Sequence, residues 1–191
     1  MKKQLSKLPI TLFCIHGNHE IRPQNIDTYV RSPMFGGTCM MEPQYRNIVF
    51  AVDGETYEFA GRKCIAIGGA YSVDKYYRLY VGYKWFADEQ PDEGTKRGVE
   101  SALESMDYTV DVVLSHTCPH RYIPTEMFLP MIDQSAVDDS TERWLGEIES
   151  KLNYDLWLCG HYHTDKSIDK MRFMYKDIKP LEELLCHPQQ P

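Results

Sequence analysis

Residues 10–20 read ITLFCIHGNHE, an apolar run that ends in a polar turn. A short apolar run bounded by Gly and Asn is typical of a strand buried in a layered α/β sheet, here Ile10–Ile15. The same pattern recurs at Val110–Leu114, followed by SHT at 115–117, and at Leu156–Cys159, followed by GHYH at 160–163. Ligands bind at the carboxyl ends of strands in such sheets. We therefore expect the three polar turns to meet in one crevice.

The three turns share one kind of chemistry, because each carries an imidazole or a side-chain amide. Imidazole nitrogen and amide oxygen are mixed donors that suit Mn, Fe or Zn, whereas Mg and Ca favour shells made of oxygen alone. The sequence therefore predicts a metal centre at the strand ends, with the metal open among these three.

Composition limits the class of protein. The chain has 191 residues, of which 42% are hydrophobic, and this predicts a single domain over residues 1–191. Its net charge of −7 and the absence of a long basic run predict no nucleic-acid surface, although a local metal charge can still attract an anionic substrate. There is no apolar stretch suited to a membrane span or a signal peptide. The sequence thus predicts no membrane partner and a cytoplasmic location.

The middle of the chain is predicted to be a meander of short strands. Ile48–Val52, Thr56–Phe59 and Lys63–Ile67 have strand character, and Asp53-Gly54 between the first two predicts a hairpin. The preceding stretch, Ile21–Gln44, has scattered Pro and Gly and predicts a long loop, with a short helix near Asn25–Val30.

The second half of the chain alternates helices and strands. Apolar spacing predicts a helix from Pro91 to about Met106. Asp139, with Glu142 three positions later, predicts a second helix that starts with a capping box. We also expect a strand at Met171–Tyr175 and a helix at Pro180–Leu185.

The segment Tyr71–Phe86 is crowded with aromatic residues and allows two interpretations. The rings could form a stacking wall for a nucleotide or another aromatic substrate. Alternatively, a loop could pack the rings over the edge of the sheet, which is the interpretation we favour because Tyr is common on half-buried surfaces.

In order and spacing, GNHE at 17–20, SHT at 115–117 and GHYH at 160–163 resemble the later motifs of the calcineurin-like metallophosphoesterases. The resemblance implies an α/β (α+β) fold, namely a β-sandwich flanked by helices. It also implies that one metal is held by Asn18, His116 and His161, and a second metal by His163. In that scheme His19 donates a proton to the leaving oxygen, and Glu20 orients His19.

The implied reaction is hydrolysis of phosphate monoesters or diesters by a hydroxide activated between two divalent metals, without a covalent intermediate. The family pattern normally opens with Asp-x-His and Gly-Asp-x-x-Asp motifs, and neither occurs in this sequence. We therefore expect an N-terminally truncated member with impaired activity and an exposed apolar edge beside Ile10–Ile15. A gene fragment, a misplaced start and a split protein completed by a complementing chain all remain open.

A different class of function is also open, in which the chain is an inactive remnant that binds a partner through Tyr71–Phe86. A structural zinc site is disfavoured because the six cysteines form no CxxC pair. Cys118 is interpreted as a spectator thiol and His16 as a strand-end side chain. His120 and His187 are interpreted as ordinary surface residues.

Overall fold

The computed structural model describes residues 1–128 and 134–186. Residues 129–133 and 187–191, which include His187, lie outside the described residues, so the single domain over 1–191 stays a prediction. The strands are β1 Leu12–Cys14, β2 Val30–Met34, β3 Gly37–Met41, β4 Ile48–Ala51, β5 Thr56–Phe59, β6 Arg62–Ile67, β7 Val112–Ser115, β8 Leu156–Cys159, β9 Lys166–Ile168 and β10 Met171–Phe173. The α-helices are α1 Lys2–Leu5, α2 Lys75–Val81, α3 Glu93–Glu104, α4 Ser140–Glu149 and α5 Leu181–Cys186, and short 3₁₀ turns occur at Pro23–Asn25, His120–Tyr122 and Thr125–Met127.

The strands form two sheets, in the orders β1-β4-β3-β2 and β5-β6-β7-β8-β10-β9. In the larger sheet, β6, β7, β8 and β10 run parallel, while β5 and β9 are antiparallel additions at its two edges. In the smaller sheet, β1 pairs parallel with β4 and forms one edge, which agrees with the expected edge beside Ile10–Ile15. The two-sheet α/β fold predicted from the sequence is confirmed.

Side chains alternate between two apolar layers along the strands of the larger sheet. Ile65 and Val113 face α3 and α4, where Trp144 and Leu145 cover them. Ala66 faces the smaller sheet, in a layer that also contains Val49 and the ring of Phe13. Helices and the second sheet therefore cover opposite faces, as expected for a central sheet whose parallel strands are buried on both sides.

Helices α3 and α4 and the strands β7, β8 and β10 confirm the predicted order of elements in the second half. The capping box is wrong in detail, because Asp139 makes no side-chain cap and instead bonds Arg143 at 2.8 Å. Glu142 is buried and accepts a hydrogen bond from the Thr117 hydroxyl at 2.7 Å. It therefore ties α4 to the turn that follows β7.

The predicted hairpin at Asp53-Gly54 is wrong, since β4 and β5 lie in different sheets. The Asp53 carboxylate accepts a hydrogen bond from the Gly68 amide at 2.5 Å, and Gly54 N donates to the Ala66 carbonyl at 2.9 Å. These bonds tie the turn to β6, so the chain crosses from the smaller sheet to the larger one here.

The long loop predicted at Ile21–Gln44 contains a hairpin, β2–β3, and the short helix lies at Pro23–Asn25 rather than near Asn25–Val30. The turn places Phe35 and Gly36 at φ values of 54° and 82°. Two consecutive left-handed residues are the geometry of the tight hairpin turn whose twist matches that of the strands. Phe is an uncommon residue in that conformation, and Pro33 within β2 also weakened the strand pattern.

The aromatic segment Tyr71–Phe86 contains the helix α2, and the predicted packing of its rings over the sheet edge is wrong for four of the seven rings. Tyr76, Tyr77, Tyr80 and Tyr83 are each more than 60% exposed, and α2 has no buried residue. None of the helices in the described parts of the chain is long and apolar enough to cross a membrane.

Candidate metal centre

Backbone hydrogen bonds join the three polar turns at the carboxyl ends of the strands. Gly69 N, just beyond β6, donates to the carbonyl of His16, just beyond β1, at 2.8 Å. His116 N donates to the Ile67 carbonyl at 3.0 Å, and Gly160 N donates to the His116 carbonyl at 3.0 Å. The ends of both sheets therefore meet in one place, as the sequence predicted.

Three of the four predicted metal ligands lie together at this place. The side-chain oxygen of Asn18 lies 2.9 Å from Nε2 of His116. The imidazoles of His116 and His161 have ring centroids 5.1 Å apart and an interplanar angle of 63°. Residues that are 98 and 45 positions apart in sequence thus bring an amide oxygen and two imidazoles to one point.

Both histidines of the GHYH turn have an unusual backbone conformation. His161 and His163 have φ values of 63° and 51°, a left-handed conformation that few residues other than Gly adopt. Between them, the Tyr162 ring turns inward against Phe173, with ring centroids 5.9 Å apart. His163 is exposed, and its ring stacks on Tyr175 at 4.9 Å.

The half-buried imidazoles of His116 and His161 are neutral near pH 7. Burial lowers the pKa of His116 to about 3, and the neighbouring imidazoles of His161, His16, His19 and His163 lower it further. Burial lowers the pKa of His161 to about 4, with further lowering from His163 and His19. A neutral imidazole is the form that binds a metal, so both rings have a lone pair available without losing a proton.

Within residues 1–128 and 134–186, no three His, Cys, Asp or Glu side chains lie close enough together to hold a metal ion. The set at the strand ends has two imidazoles, and its third donor is the Asn18 amide oxygen. One oxygen and two nitrogen donors match the mixed shells of Mn, Fe or Zn. By donor chemistry the residues present therefore fit one divalent ion, and for a second ion only His163 was predicted.

The two predicted catalytic residues follow Asn18 directly. His19 is exposed, and its Nε2 lies 3.9 Å from the carboxylate of Asp74 at the start of α2. The Glu20 carboxylate accepts a hydrogen bond from the Gly17 amide at 2.9 Å, which closes the turn. Roles for His19 as general acid and for Glu20 as its orienting group stay predictions, and Asp74 is an additional carboxylate beside His19.

Sequence reasoning missed the residues beneath Asn18. Ser72 is buried and bonds Asn18, and Glu89 is buried and bonds Ser72. Ser72 closely follows the strand end at Gly68-Gly69, but only the pairing of β6 with β7 shows that it lies in the same sheet as His116. The Cys118 thiol is fully buried, which raises its pKa to about 12, so it is protonated near pH 7 as expected of a spectator thiol.

The calcineurin-like phosphoesterase family model matches residues 1–165, a range that contains all three polar turns. No curated protein and no solved structure matches the chain. A match over most of the sequence is sufficient to assign the family, and the two-sheet fold agrees with it. The chain therefore belongs to the calcineurin-like phosphoesterase family.

Proposed function

We propose that this chain belongs to a metal-dependent phosphoesterase that hydrolyses phosphate monoesters or diesters through a hydroxide activated by two metals, with impaired activity in this chain alone. Family membership supports metal-dependent phosphoester hydrolysis in general. The main support from the geometry is the 2.9 Å approach of the Asn18 amide oxygen to His116 Nε2, next to His161. In this hydrogen bond His116 Nε2 donates to the Asn18 oxygen, so the two side chains are already together, and a Mn, Fe or Zn ion bound at Nε2 would require the proton on Nδ1.

In this proposal Asn18, His116 and His161 hold one ion, and His163 contributes to a second. Bound divalent ions supply positive charge that stabilises the phosphoryl oxygens as negative charge develops on them. His19 supplies the proton for the leaving oxygen. Asp74 lies on the Nε2 side of His19, which leaves Nδ1 for the leaving oxygen. Glu20 holds the turn that carries Asn18 and His19.

The donor set also supports weak activity by this chain alone. Asn18, His116 and His161 are all neutral, so none of the three offsets the charge of a divalent ion. We propose that a further strand carrying carboxylates, from a complementing chain or from elsewhere in a longer protein, pairs with the edge strand β1. Because β1 leads directly into the turn at Asn18, that pairing would bring the carboxylates to the site.

The experiment that tests this function combines metal analysis with hydrolysis. Bound Mn, Fe and Zn are measured in the purified chain, and turnover of p-nitrophenyl phosphate and of its bis-ester is followed with and without added Mn²⁺. The matched variants are Asn18→Ala and Thr141→Val, the latter removing a buried hydroxyl that bonds Gln90 at 2.7 Å. We expect Asn18→Ala to lose metal and Thr141→Val to keep it. Equal metal content in both variants would contradict the ligand assignment.

A second candidate is a binding module without catalysis, and the exposed tyrosines of α2 favour it. Tyr80 is 90% exposed and Tyr76 is 68% exposed, an unusual arrangement for large rings. Calorimetric titration with a nucleoside monophosphate and with inorganic phosphate distinguishes ring stacking from phosphate binding alone. Binding of the nucleotide that Tyr76→Ala abolishes, together with absent turnover, would favour the module.

The remaining predictions about the cellular setting stay proposals. We propose a cytoplasmic location and a phosphoester substrate, without nucleic acid or membrane as a partner. The acidic net charge of −7 supports the absence of a nucleic-acid surface. Cell fractionation with a tagged full-length chain tests the location.

A further inference from the structure

A buried serine holds the side chain of Asn18 from behind. The Asn18 side-chain nitrogen donates to the Ser72 hydroxyl oxygen at 3.0 Å, and the Ser72 hydroxyl donates to the Asn18 carbonyl at 3.3 Å. Ser72 is 1% exposed and Asn18 is 6% exposed, so water cannot readily replace either bond. The two bonds fix which end of the amide faces inward, and the amide oxygen is left facing His116.

A buried carboxylate in turn holds Ser72. The Ser72 amide donates to Oε1 of Glu89 at 3.1 Å, and the Ala70 amide donates to the Glu89 carbonyl at 3.1 Å. Glu89 is 2% exposed, and its buried Oε2 has no hydrogen-bond partner within residues 1–128 and 134–186. A buried carboxylate oxygen without a partner is costly, so its retention needs an explanation.

We propose that Ser72 and Glu89 form a positioning relay for the metal site. Ser72 orients the Asn18 amide so that its oxygen faces the metal, and Glu89 fixes Ser72 and supplies negative charge behind a donor set that has none. This inference rests on the proposed metal-binding role of Asn18. Partners behind the ligands are a general device for orienting metal ligands and tuning affinity.

Ser72 and Glu89 have different roles in this arrangement. Without Ser72, the Asn18 amide could rotate and present nitrogen to His116, and an amide nitrogen is not a donor to a metal ion. Without Glu89, the charge of a divalent ion bound by three neutral donors would have no buried counter-charge in the relay. In the proposal, the buried Glu89 carboxylate supplies this counter-charge.

The first arm of the test uses the metal-free protein. Side-chain amide signals of Asn18 are assigned by NMR with Asn18→Ala and compared between wild type, Ser72→Ala and Thr141→Val. We expect Ser72→Ala to move the Asn18 signal upfield and to accelerate its exchange with solvent, because one amide proton loses its acceptor. Thr141→Val should leave the signal in place. An unchanged Asn18 signal in Ser72→Ala would overturn the positioning role.

The second arm measures affinity for Co²⁺ by its absorption spectrum. We expect Ser72→Ala to weaken binding by about 10–100-fold and Thr141→Val to leave it unchanged. Glu89→Gln keeps an oxygen that accepts from Ser72 and removes the charge, so we expect a loss of about tenfold with the Asn18 NMR signal retained. Wild-type affinity in Glu89→Gln would overturn the charge role. If wild type bound no Co²⁺, the proposed function would fail, while the first arm would still decide whether Ser72 orients Asn18.

Discussion

Asn18 and His163 are both predicted metal ligands, and the fold holds them in different ways. Asn18 is buried, and its side chain contacts Ser72 and His116 within hydrogen-bond distance. His163 is exposed, and its ring stacks on Tyr175. The Asn18 side chain is therefore held in place by the metal-free fold, whereas the His163 ring depends on an exposed stacking contact. We infer that the Asn18 side of the site is preorganised and the His163 side is not.

Preorganisation follows from where each residue lies in the sandwich. The turn that carries Asn18 joins the end of the smaller sheet to the ends of β6 and β7, so neighbouring elements surround it. His163 lies beyond the end of β8, in a turn with two left-handed residues. Strain of this kind persists where the surrounding structure imposes it and is common at functional sites.

The largest expected effect is on Mn²⁺ affinity, and it differs between the Asn18 side and the His163 side of the site. His116→Ala removes the imidazole that faces Asn18, so affinity for Mn²⁺ should fall by more than ~100-fold, beyond the range for partners behind the ligands. His163→Ala should weaken binding of the first Mn²⁺ ion by less than ~10-fold, because the His163 ring is exposed and lies outside the group formed by Asn18, His116 and His161. Calorimetric titration of both variants provides the measurement. Equal losses would show that the two sides bind one ion jointly and would end the comparison.

The next effect concerns catalysis rather than binding. His19→Gln should lower turnover of p-nitrophenyl phosphate by roughly 10²–10⁴-fold, the usual contribution of a general acid, while Mn²⁺ affinity stays at the wild-type value. His120→Gln is the matched control, because His120 is 46% exposed against 45% for His19 and also lies beside an Asp. Loss of Mn²⁺ in His19→Gln would assign His19 to the ligands instead.

The sequence predicted that the three polar turns lie together, but it did not predict the buried residues that hold Asn18 in place. Each ligand turn follows an apolar strand, so the strand-end rule was sufficient to place Asn18, His116 and His161 in one crevice. Ser72 and Glu89 escaped because a buried serine and a buried glutamate have no distinctive spacing. Only the pairing of β6 with β7 shows that residues after Gly69 belong to the same crevice.

The wrong predictions about the fold concern elements whose structure depends on contacts with distant residues or that have no buried face. Asp53-Gly54 is a good hairpin sequence, yet the side chain of Asp53 bonds the Gly68 amide, and that tertiary contact decides the path of the chain. Helix α2 was missed because it has no buried face and therefore no apolar period, although Gly82 at φ 75° ends it as a C-terminal Gly commonly does. Local patterns do not contain these contacts.

A smaller effect is expected on the free energy of unfolding when the pH is lowered. The folded pKa values of His116 and His161 lie below the ordinary value near 6.5, so the unfolded chain binds protons that the folded chain excludes. Their contribution to the free energy of unfolding is complete above about pH 6.5 and is lost as pH falls towards the folded values. We expect a loss on the order of 2 kcal/mol per imidazole by about pH 5 in metal-free protein.

Urea unfolding at pH 7.5 and about pH 5 measures this loss, with EDTA present. Burial also lowers the pKa of His16, to about 4, so His161→Gln should remove about a third of the difference that His16, His116 and His161 cause together. His163→Gln should leave the difference unchanged. Buried Glu142 has a raised pKa and works in the opposite direction, so the comparison between variants is the decisive quantity. An equal effect of the two Gln variants would mean that His163 is as buried in solution as His161.

The smallest expected effect is on stability, and it contrasts the buried Ser72 with the exposed Tyr80 eight residues later. Helix α2 has no buried residue, so Tyr80→Ala should change the free energy of unfolding by less than ~0.5 kcal/mol. Tyr57→Phe is the contrasting variant, because the buried Tyr57 hydroxyl donates to the Thr38 carbonyl at 2.7 Å and accepts from the Val52 amide at 2.8 Å. Its removal should cost about 1–3 kcal/mol. A cost above 1 kcal/mol for Tyr80→Ala would show that the ring packs against the fold in solution, and the surface proposed for a binding module would then be part of the core.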